Sequence, residues 1–259
     1  VTPTDLAPLR EPPAAPQVAT HNFRFSEDYD LYPSGAKTKY KNNVMAIKLL
    51  KQIELEKRTA TPEEQIILAR YVGWGGLANA FSSTASGWEN EYQELKSLLT
   101  DVEYKAAMNS TITAYYTEPD LIRHIYRALE RFGFEGGPDR KILDPGMGTG
   151  NFYSVLPEQL QGSKLFGVEL DSITGRIAKQ LYPDADISIM GYEATKFEDN
   201  SFDVILGNIP FNSVKIYDRR YNDLNPYIHD YFFIKSLDLA KPGGIIAFIT
   251  SKGIMDRKD

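Results

Sequence analysis

The sequence contains no cysteine, only three histidines and no long apolar run. The absence of cysteine excludes thiolate metal sites, disulfide frameworks and thiol nucleophiles together. His21, His124 and His229 lie far apart along the chain, so we expect no metal site. The longest apolar run, residues 245–249, is much shorter than the roughly 20 residues of a membrane helix, and the N-terminus has no secretory segment. We therefore expect a cytoplasmic protein that contacts no membrane.

Charge and length limit the class of protein further. The net charge is −6 over 259 residues, which excludes a uniformly basic coat for nucleic acid but allows a local basic patch. A chain of this length can bury a large core without metal or disulfide support. Residues 1–20 hold five of the fifteen prolines and are expected to form a linker. We expect a helical region over residues 21–110 and a second fold over residues 111–259.

The second half of the sequence alternates between short apolar strands and helical segments. This alternation predicts a Rossmann-like α/β fold, in which a doubly wound, mostly parallel sheet carries helices on both faces. The helical region before it begins near residue 36, and Thr61 and Thr100 each stand where a helix is expected to start. The predicted strands are Ile142–Leu143, Lys164–Glu169, Ile187–Ile189, Phe202–Leu206 and Ile245–Thr250.

A glycine-rich loop, residues 144–152, follows the first predicted strand. Ligands of doubly wound sheets bind at this end of the strands. The loop lacks the Gly-Lys-Ser/Thr of a phosphate-binding P-loop, and its Gly-x-Gly-x-Gly pattern differs from the dinucleotide fingerprint. Asp144 at the strand tip would repel a pyrophosphate but suits the ammonium group of a methionine moiety.

A second carboxylate, Glu169, stands at the tip of the next predicted strand, 25 residues after Asp144. A carboxylate in this position can accept hydrogen bonds from both hydroxyls of a ribose. Asp144 suits an ammonium group and Glu169 suits a ribose, and this pair of carboxylates predicts S-adenosylmethionine as the cofactor. The alternative interpretation of the loop is a plain turn between a strand and a helix.

The tetrapeptide Asn208-Ile209-Pro210-Phe211 follows the fourth predicted strand. Here the chain resembles the amino-methyltransferases, whose signature is Asn/Asp/Ser-Pro-Pro-Tyr/Phe. The lone pair of an exocyclic amine is delocalised into the ring, which makes the amine a poor nucleophile. The Asn208 side-chain oxygen and the Ile209 carbonyl can accept hydrogen bonds from the amine and so free the lone pair. Pro210 stiffens the loop, and Phe211 offers a face on which an extruded base can stack. These four residues are the predicted catalytic set.

Ile209 departs from the family pattern, which has proline at this position. Only the backbone carbonyl of this residue is needed for the chemistry, so the departure affects the rigidity of the loop and not the acceptor. Replacement of Ile209 by proline is therefore expected to leave activity equal or higher.

The resemblance extends over about residues 110–255 and implies further contacts with the cofactor. The segment Ala114–Pro119 is similar to the Tyr-Thr-Pro element of adenine-N6 enzymes, which implies that Thr117 touches the methionine carboxylate; a helix cap at Thr117 is the alternative. The acidic residue Glu193 follows the third strand, where the family binds the cofactor's adenine. The complete predicted cofactor set is Tyr116, Thr117, Asp144, Pro145, Gly146, Gly148, Gly150, Phe152, Glu169, Leu170 and Glu193.

Residues 69–77, 230–233 and 250–253 resemble the methylase segment of large helicase–methylase proteins of bacterial mobile elements and phages. This resemblance implies a class I methyltransferase, DNA as substrate, a covalently linked helicase and a bacterial or phage origin. Such sheets have seven strands in the family and five are predicted here, so we expect a core that is incomplete at its C-terminus. A Trp-Gly-Gly helix end with a packed indole is an equally good interpretation of residues 74–76.

Basic and aromatic residues alternate after the tetrapeptide, over residues 212–227, and the predicted nucleic-acid contacts are Lys215, Arg219 and Arg220. A solvated loop is the alternative. The leading hypothesis for the whole chain is methylation of adenine N6 in DNA. Glutamine-N5 methylation of protein, guanine-N2 methylation of RNA and an inactive module that serves a helicase remain open as alternatives.

Overall fold

A computed structural model describes residues 21–32, 34–111 and 117–251 of the chain. The predicted linker over residues 1–20 and the predicted cofactor residue Tyr116 lie outside these ranges, and the boundary predicted near residues 110–117 lies partly outside them. The division of the chain into three regions therefore stays a prediction.

Five parallel strands form one sheet in the described part of the chain. The strands are β1 (Lys141–Asp144), β2 (Lys164–Glu169), β3 (Asp186–Ile189), β4 (Phe202–Asn208) and β5 (Ala240–Ile249), and their order is β3-β2-β1-β4-β5. The order reverses at β1, which pairs with β2 on one side and with β4 on the other. This reversal opens a crevice at the carboxyl ends of β1 and β4, where ligands of such sheets bind.

Alternate residues of the strands face two separate hydrophobic cores. Ile142 of β1 and Val204 of β4 belong to one core, whereas Leu143 and Ile205 belong to the other. Helices cover both faces, which confirms the predicted Rossmann-like, doubly wound α/β fold. These helices are α5 (Pro119–Arg131), α6 (Asn151–Ser154), α7 (Ser172–Leu181) and α8 (Ile228–Leu239).

The region before the sheet is helical, as predicted. Its helices are α1 (Ala36–Leu55), α2 (Pro62–Ala69), α3 (Glu89–Leu98) and α4 (Asp101–Ser110). Capping boxes start two of them: the Thr61 hydroxyl accepts a hydrogen bond from the Glu64 amide, and Thr100 does the same for Glu103. Both caps were predicted at these threonines.

The N-terminal helices and the sheet share a single core on one face. Leu50 of α1, Leu68 of α2 and Ile177 of α7 are all fully buried in it. The Gln65 side chain of α2 donates to the carbonyl oxygen of Gln180 at 2.9 Å, so polar contacts also cross this contact surface. The helices are therefore packed directly on the sheet.

The start of β5 differs from the sequence-based prediction. β5 begins at Ala240 and not at Ile245, because Ala240 pairs with Phe202 before an irregularity around Lys241–Gly244, and regular pairing resumes at Ile245. β3 ends at Ile189, as predicted, and Tyr192 and Glu193 lie on a short 3₁₀ turn that follows it.

Candidate functional site

A cavity of about 620 Å³ lies at the carboxyl ends of the strands, in the crevice at β1 and β4. Its volume is within the usual range for a small-molecule site. The cavity brings together residues that the sequence predicted for the cofactor and residues that it predicted for catalysis. These lining residues are Thr117, Asp144, Pro145, Gly146, Gly148, Phe152, Glu169, Leu170, Glu193, Asn208, Ile209, Pro210 and Phe211.

Asp144 ends β1 with its side chain almost completely buried. One carboxylate oxygen accepts a hydrogen bond from the Gly146 amide at 3.1 Å. A side chain at position 207 would place its Cβ 2.5 Å from this oxygen, so glycine at 207 is what lets β4 approach the carboxylate. Burial raises the pKa of Asp144 to about 8, and nearby Glu169 adds to the shift while the Gly146 amide opposes it. The carboxylate therefore gains from a cationic partner.

Glu169 ends β2 and holds the glycine-rich loop. Its two carboxylate oxygens accept hydrogen bonds from the amides of Gly148 at 2.9 Å and of Asp171 at 2.7 Å. Desolvation of the carboxyl raises the pKa of Glu169 to about 7, against the effect of these hydrogen bonds. Glu169 lines the cavity, and its carboxylate would be stabilised there by further hydrogen-bond donors from a ligand.

The glycine-rich loop places its glycines in different surroundings. Gly148 has a φ of +57°, a left-handed conformation that favours glycine, and it lines the cavity. Gly150 lies against the ring of Tyr182 instead of lining the cavity, and a Cβ there would come 2.3 Å from that ring. The Tyr182 hydroxyl also donates to the Gly150 carbonyl at 2.7 Å. Gly150 is therefore a packing position and does not join the other predicted cofactor residues.

Two exposed apolar side chains flank the end of the cavity near Glu169. Leu170 follows β2 and is 76% exposed, and Met190 follows β3 and is 40% exposed. Glu193 lies beside them on the 3₁₀ turn. Tyr192 is buried, and its hydroxyl lies 3.1 Å from that of Ser236. Two apolar surfaces beside a carboxylate can hold a flat heterocycle that carries an amino group.

The tetrapeptide loop begins at the last residue of β4 and reaches the cavity. The Asn208 amide nitrogen donates to the Thr117 hydroxyl at 3.0 Å, which fixes the orientation of the amide. Glu118, and not Thr117, occupies the N-cap position of α5, and its side chain makes no capping hydrogen bond. Thr117 is thus positioned beside Asn208 and within the same cavity.

Ile209 is held more firmly than its departure from proline suggests. Its side chain is buried in the core beneath α8, and its amide donates to the Ile249 carbonyl of β5 at 3.1 Å. Proline has no amide hydrogen and could not make this bond. The structure therefore revises the expectation that proline at 209 leaves activity equal or higher.

The cofactor loop and the tetrapeptide loop lie side by side. A Cβ placed on Gly146 would come 3.7 Å from the Pro210 ring. Phe211 lies beyond Pro210 with its side chain at the cavity and 37% exposed. A ligand on the glycine-rich loop and an acceptor group on the tetrapeptide are consequently adjacent.

The basic segment after the tetrapeptide is an ordered strap, residues 212–227. The Ile228 amide donates to the Val214 carbonyl at 2.8 Å, and Lys215 bridges to Tyr227, where its ammonium group lies 5.1 Å from the ring centre. These contacts fix part of the strap, but Lys215 and Arg219 are exposed to solvent, so the alternative of a solvated loop stays open.

Arg220 differs from the other basic residues of the strap. Its guanidinium pairs with Asp199 at 2.6 Å and with Asp238 at 2.8 Å. Its charge is therefore balanced within the protein, which makes Lys215 and Arg219 the stronger candidates for contact with phosphate.

Six cavity residues come from the N-terminal helical region, and sequence reasoning did not assign them to the site. They are Tyr71, Val72, Gly73, Ala106, Asn109 and Ser110. The glycine- and aromatic-rich run Tyr71–Gly76 is unusual enough to suggest a functional role. Its spacing along the chain does not connect it with the strands, which begin about 70 residues later.

The described part of the chain holds neither a metal-binding cluster nor a membrane-spanning helix. Within residues 21–32, 34–111 and 117–251, no three His, Asp or Glu side chains are grouped so as to hold a metal ion. None of the helices described in these ranges is long and apolar enough to cross a membrane.

The fold and the site together define a class. A parallel sheet of order β3-β2-β1-β4-β5, with a glycine-rich loop after β1, an acid after β2 and Asn-x-Pro-Phe after β4, is the arrangement of class I methyltransferases. The acidic pocket fits S-adenosylmethionine, because the buried carboxyl of Asp144 favours a cationic group and the partly buried carboxyl of Glu169 favours hydroxyl donors.

Comparison with known proteins agrees with this class. Residues 167–259 match the family of the Eco57I restriction-modification methylase. The chain is 27% identical over 220 residues to "Defense against restriction protein B" of Escherichia phage P1, with 82% of this chain and 8% of that protein covered. It is 31% identical over 78 residues to modification methylase CviBIII of Paramecium bursaria Chlorella virus NC1A, with 30% of this chain and 21% of that protein covered. The predicted resemblance to S-adenosylmethionine-dependent DNA methylases is confirmed.

Solved structures with a similar fold include two methyltransferases. The methyltransferase subunit of a type I restriction-modification system from Streptococcus thermophilus has a TM-score of 0.48 and 17% identity, with 90% of this chain and 59% of that chain covered. Phosphoethanolamine N-methyltransferase 2 of Haemonchus contortus, in complex with S-adenosylmethionine, has a TM-score of 0.36 and 22% identity, with coverage of 48% and 27%. The chain spans less than a quarter of the length of either curated relative described above.

Proposed function

We propose that this chain binds S-adenosylmethionine and transfers its methyl group to the N6 amine of adenine in DNA. The observation that carries the proposal is the shared cavity: the Asn208 tetrapeptide and the carboxylates Asp144 and Glu169 line one space. A methyl donor and an amine acceptor must meet within such a space for direct transfer.

The cofactor would supply an electrophilic methyl group on a positively charged sulfur. Asp144 would attract the ammonium group of the methionine moiety, and Glu169 would accept hydrogen bonds from the ribose hydroxyls. Leu170 and Met190 would lie against the adenine of the cofactor, with Glu193 accepting from its amino group. Thr117 would hold the methionine carboxylate, as the resemblance implies.

The tetrapeptide would prepare the acceptor. The Asn208 side-chain oxygen and the Ile209 carbonyl accept the two N6 hydrogens, which concentrates the nitrogen lone pair toward the methyl carbon. Transfer would form a new N–C bond as the S–C bond of the cofactor breaks, and one N6 proton would then be lost to water. Phe211 would stack on the target adenine after its rotation out of the duplex.

DNA as the acceptor is supported by three features. The matched family and the viral relative are named as restriction-modification and modification methylases. Lys215 and Arg219 lie on the strap that directly follows the tetrapeptide, where they could contact phosphates. A helicase partner remains a proposal that depends on the resemblance to helicase–methylase proteins alone.

The test is a transfer assay with cofactor labelled at the methyl group and with DNA, RNA and protein offered side by side. The expected result is label in DNA only, recovered after digestion as N6-methyladenine. Label in RNA guanine or in protein glutamine would support the corresponding alternative. Cofactor binding without transfer to any acceptor would favour an inactive module.

A further inference from the structure

The cavity has a wall that the methyltransferase sheet does not provide. The turn after α2 contributes Tyr71, Val72 and Gly73, and the last turn of α4 contributes residues such as Asn109. Both segments belong to the N-terminal helical region. This region is thus in position to contact a ligand that the loops of β1 and β2 hold from the other side.

One side chain of α1 holds this turn. Asn43 is completely buried, and its amide nitrogen donates to the Gly73 carbonyl at 2.6 Å while its oxygen accepts from the Val72 amide at 3.0 Å. Gly73 has a φ of +71°, a left-handed conformation that glycine adopts at no steric cost. Because buried polar groups are costly without partners, both bonds tie the shape of the turn to Asn43.

Aromatic packing and a backbone bond connect the turn with α4. The buried indole of Trp74 lies 5.2 Å from the Phe81 ring and is perpendicular to it, and the Phe81 ring lies 5.3 Å from the ring of Tyr104 on α4. The Gly76 amide donates to the Thr111 carbonyl, directly after α4, at 3.3 Å. The turn and the end of α4 therefore form one continuous wall.

The wall reaches the part of the cavity that contains Glu169. Burial raises the pKa of the Tyr71 hydroxyl most, the negative charge of nearby Asp171 raises it further, and a hydrogen bond with Thr174 lowers it. Thr174 donates to Asp171 at 2.5 Å, and the Asp171 amide donates to Glu169 at 2.7 Å. A ligand bound at Glu169 would thus lie next to the N-terminal region.

We propose that the N-terminal helical region completes the cofactor site and that Asn43 is a positioning residue that holds Val72 and Gly73 against bound S-adenosylmethionine. The inference rests on the cofactor-binding half of the proposed function. It assigns a role to the run Tyr71–Gly76, which the resemblance to helicase–methylase proteins singled out without an explanation.

Hydrogen–deuterium exchange with and without S-adenosylmethionine tests the contact directly. We expect the cofactor to slow exchange in residues 71–76 and 106–111 as well as in the loops that begin at Asp144 and Glu169. Protection confined to those two loops would overturn the inference. A purely structural role of the wall would leave its exchange unaffected by the cofactor.

Matched variants test the positioning role. Asn43→Ala removes both bonds and should weaken cofactor affinity about tenfold or more, whereas Asn42→Ala, one residue away on α1 and partly exposed, should leave it unchanged. If Asn43→Ala fails to fold, Asn109→Trp decides the question, because it adds bulk at an exposed position of the cavity wall. Its control is Met108→Trp on the same helix.

The outcomes separate this inference from the proposed function. If the unmodified chain binds no S-adenosylmethionine in calorimetry, both are wrong. If the unmodified chain binds the cofactor and Asn43→Ala and Asn109→Trp bind it equally well, the inference about the wall is wrong while the proposed function stands.

Discussion

At the scale of single residues, the carboxyl of Asp144 has the most unusual environment in the candidate site. Its pKa is raised to about 8 because it is buried, and the same group in an unfolded chain ionises near pH 4. The folded protein therefore binds this proton more tightly than the unfolded chain does. It follows that the ligand-free protein loses stability as the pH rises from about 4 to about 8.

The first prediction concerns the pH dependence of cofactor binding. An ammonium group binds ionised Asp144, so affinity for S-adenosylmethionine should rise with pH between about 6 and 8, by up to about tenfold per pH unit for one released proton. Calorimetry in buffers of different ionisation enthalpy measures the proton release. Asp144→Asn should reduce both the affinity and the release, whereas Asp139→Asn, at an exposed position, should change neither. Proton release that is unchanged in Asp144→Asn would contradict the assignment.

The second prediction concerns the Asn208 side chain. Asn208→Ala should lower the rate of methyl transfer roughly 10²–10³-fold, because one preorganised contact with a developing charge is lost. Cofactor affinity should fall far less than the rate, because Asn208 reaches the proposed cofactor contacts only through its hydrogen bond to the Thr117 hydroxyl. Single-turnover kinetics and calorimetry measure the two effects separately. Asn90→Ala on the exposed side of α3 is the control, and wild-type transfer by Asn208→Ala would rule out the proposed activation of the amine.

At the scale of elements, the strands that are mostly apolar could be predicted from the sequence. Phe202–Leu206 and Lys164–Glu169 lie within β4 and β2 because buried parallel strands need apolar side chains on both faces. The start of β5 was missed because Lys241-Pro242-Gly243-Gly244 has the composition of a turn, although Ala240 already pairs with Phe202. Local composition does not reveal such an irregularity within a strand.

The same limit applies to the elements of the candidate site. The loops after β1, β2 and β4 could be assigned because parallel strands bring their carboxyl ends together, whatever their separation in sequence. The turn at Val72 and Gly73 follows no such rule, because its place depends on how α1 and α4 pack. A side chain such as Asn43, which acts through two backbone groups 29 and 30 residues away, has no local signature in the sequence.

The third prediction concerns the tetrapeptide loop, which begins at the last residue of β4. Ile209→Pro removes the bond from this amide to the Ile249 carbonyl and also shortens a side chain buried in the core, at a cost of about 1–3 kcal/mol of unfolding free energy. Methyl transfer should also slow, because the loop loses its attachment to β5. Ile209→Val is the control, since it keeps the amide and removes one methylene, at about 0.5–1.5 kcal/mol.

Urea unfolding and the transfer assay compare the two variants. A proline variant that is as stable as the valine variant and equally or more active than the unmodified chain would restore the interpretation based on the family pattern.

At the scale of the whole molecule, the N-terminal helices and the sheet are joined by polar contacts as well as by a shared core. Arg176 of α7 pairs with Glu54 of α1 at 3.1 Å and also with Glu103 of α4. The Gln65 side chain of α2 donates to backbone carbonyls on both sides of the contact, at residues 21, 180 and 181. Contacts of this kind couple the unfolding of the two parts.

The fourth prediction is that the two parts unfold together. Both tryptophans, Trp74 and Trp88, lie in the N-terminal helical region, so their fluorescence reports its unfolding, whereas far-ultraviolet circular dichroism reports the whole chain. In urea, the two signals should follow one coincident transition. Gln65→Ala removes the hydrogen bonds of a buried side chain to backbone carbonyls and should lower the unfolding free energy by about 1–3 kcal/mol in both signals alike. Gln52→Ala, which removes only an exposed bond to Glu56, should shift neither transition.

A fluorescence transition at lower urea than the dichroism transition would mean that the helices form a separate unit, and the cofactor wall would then have to assemble after the sheet has folded.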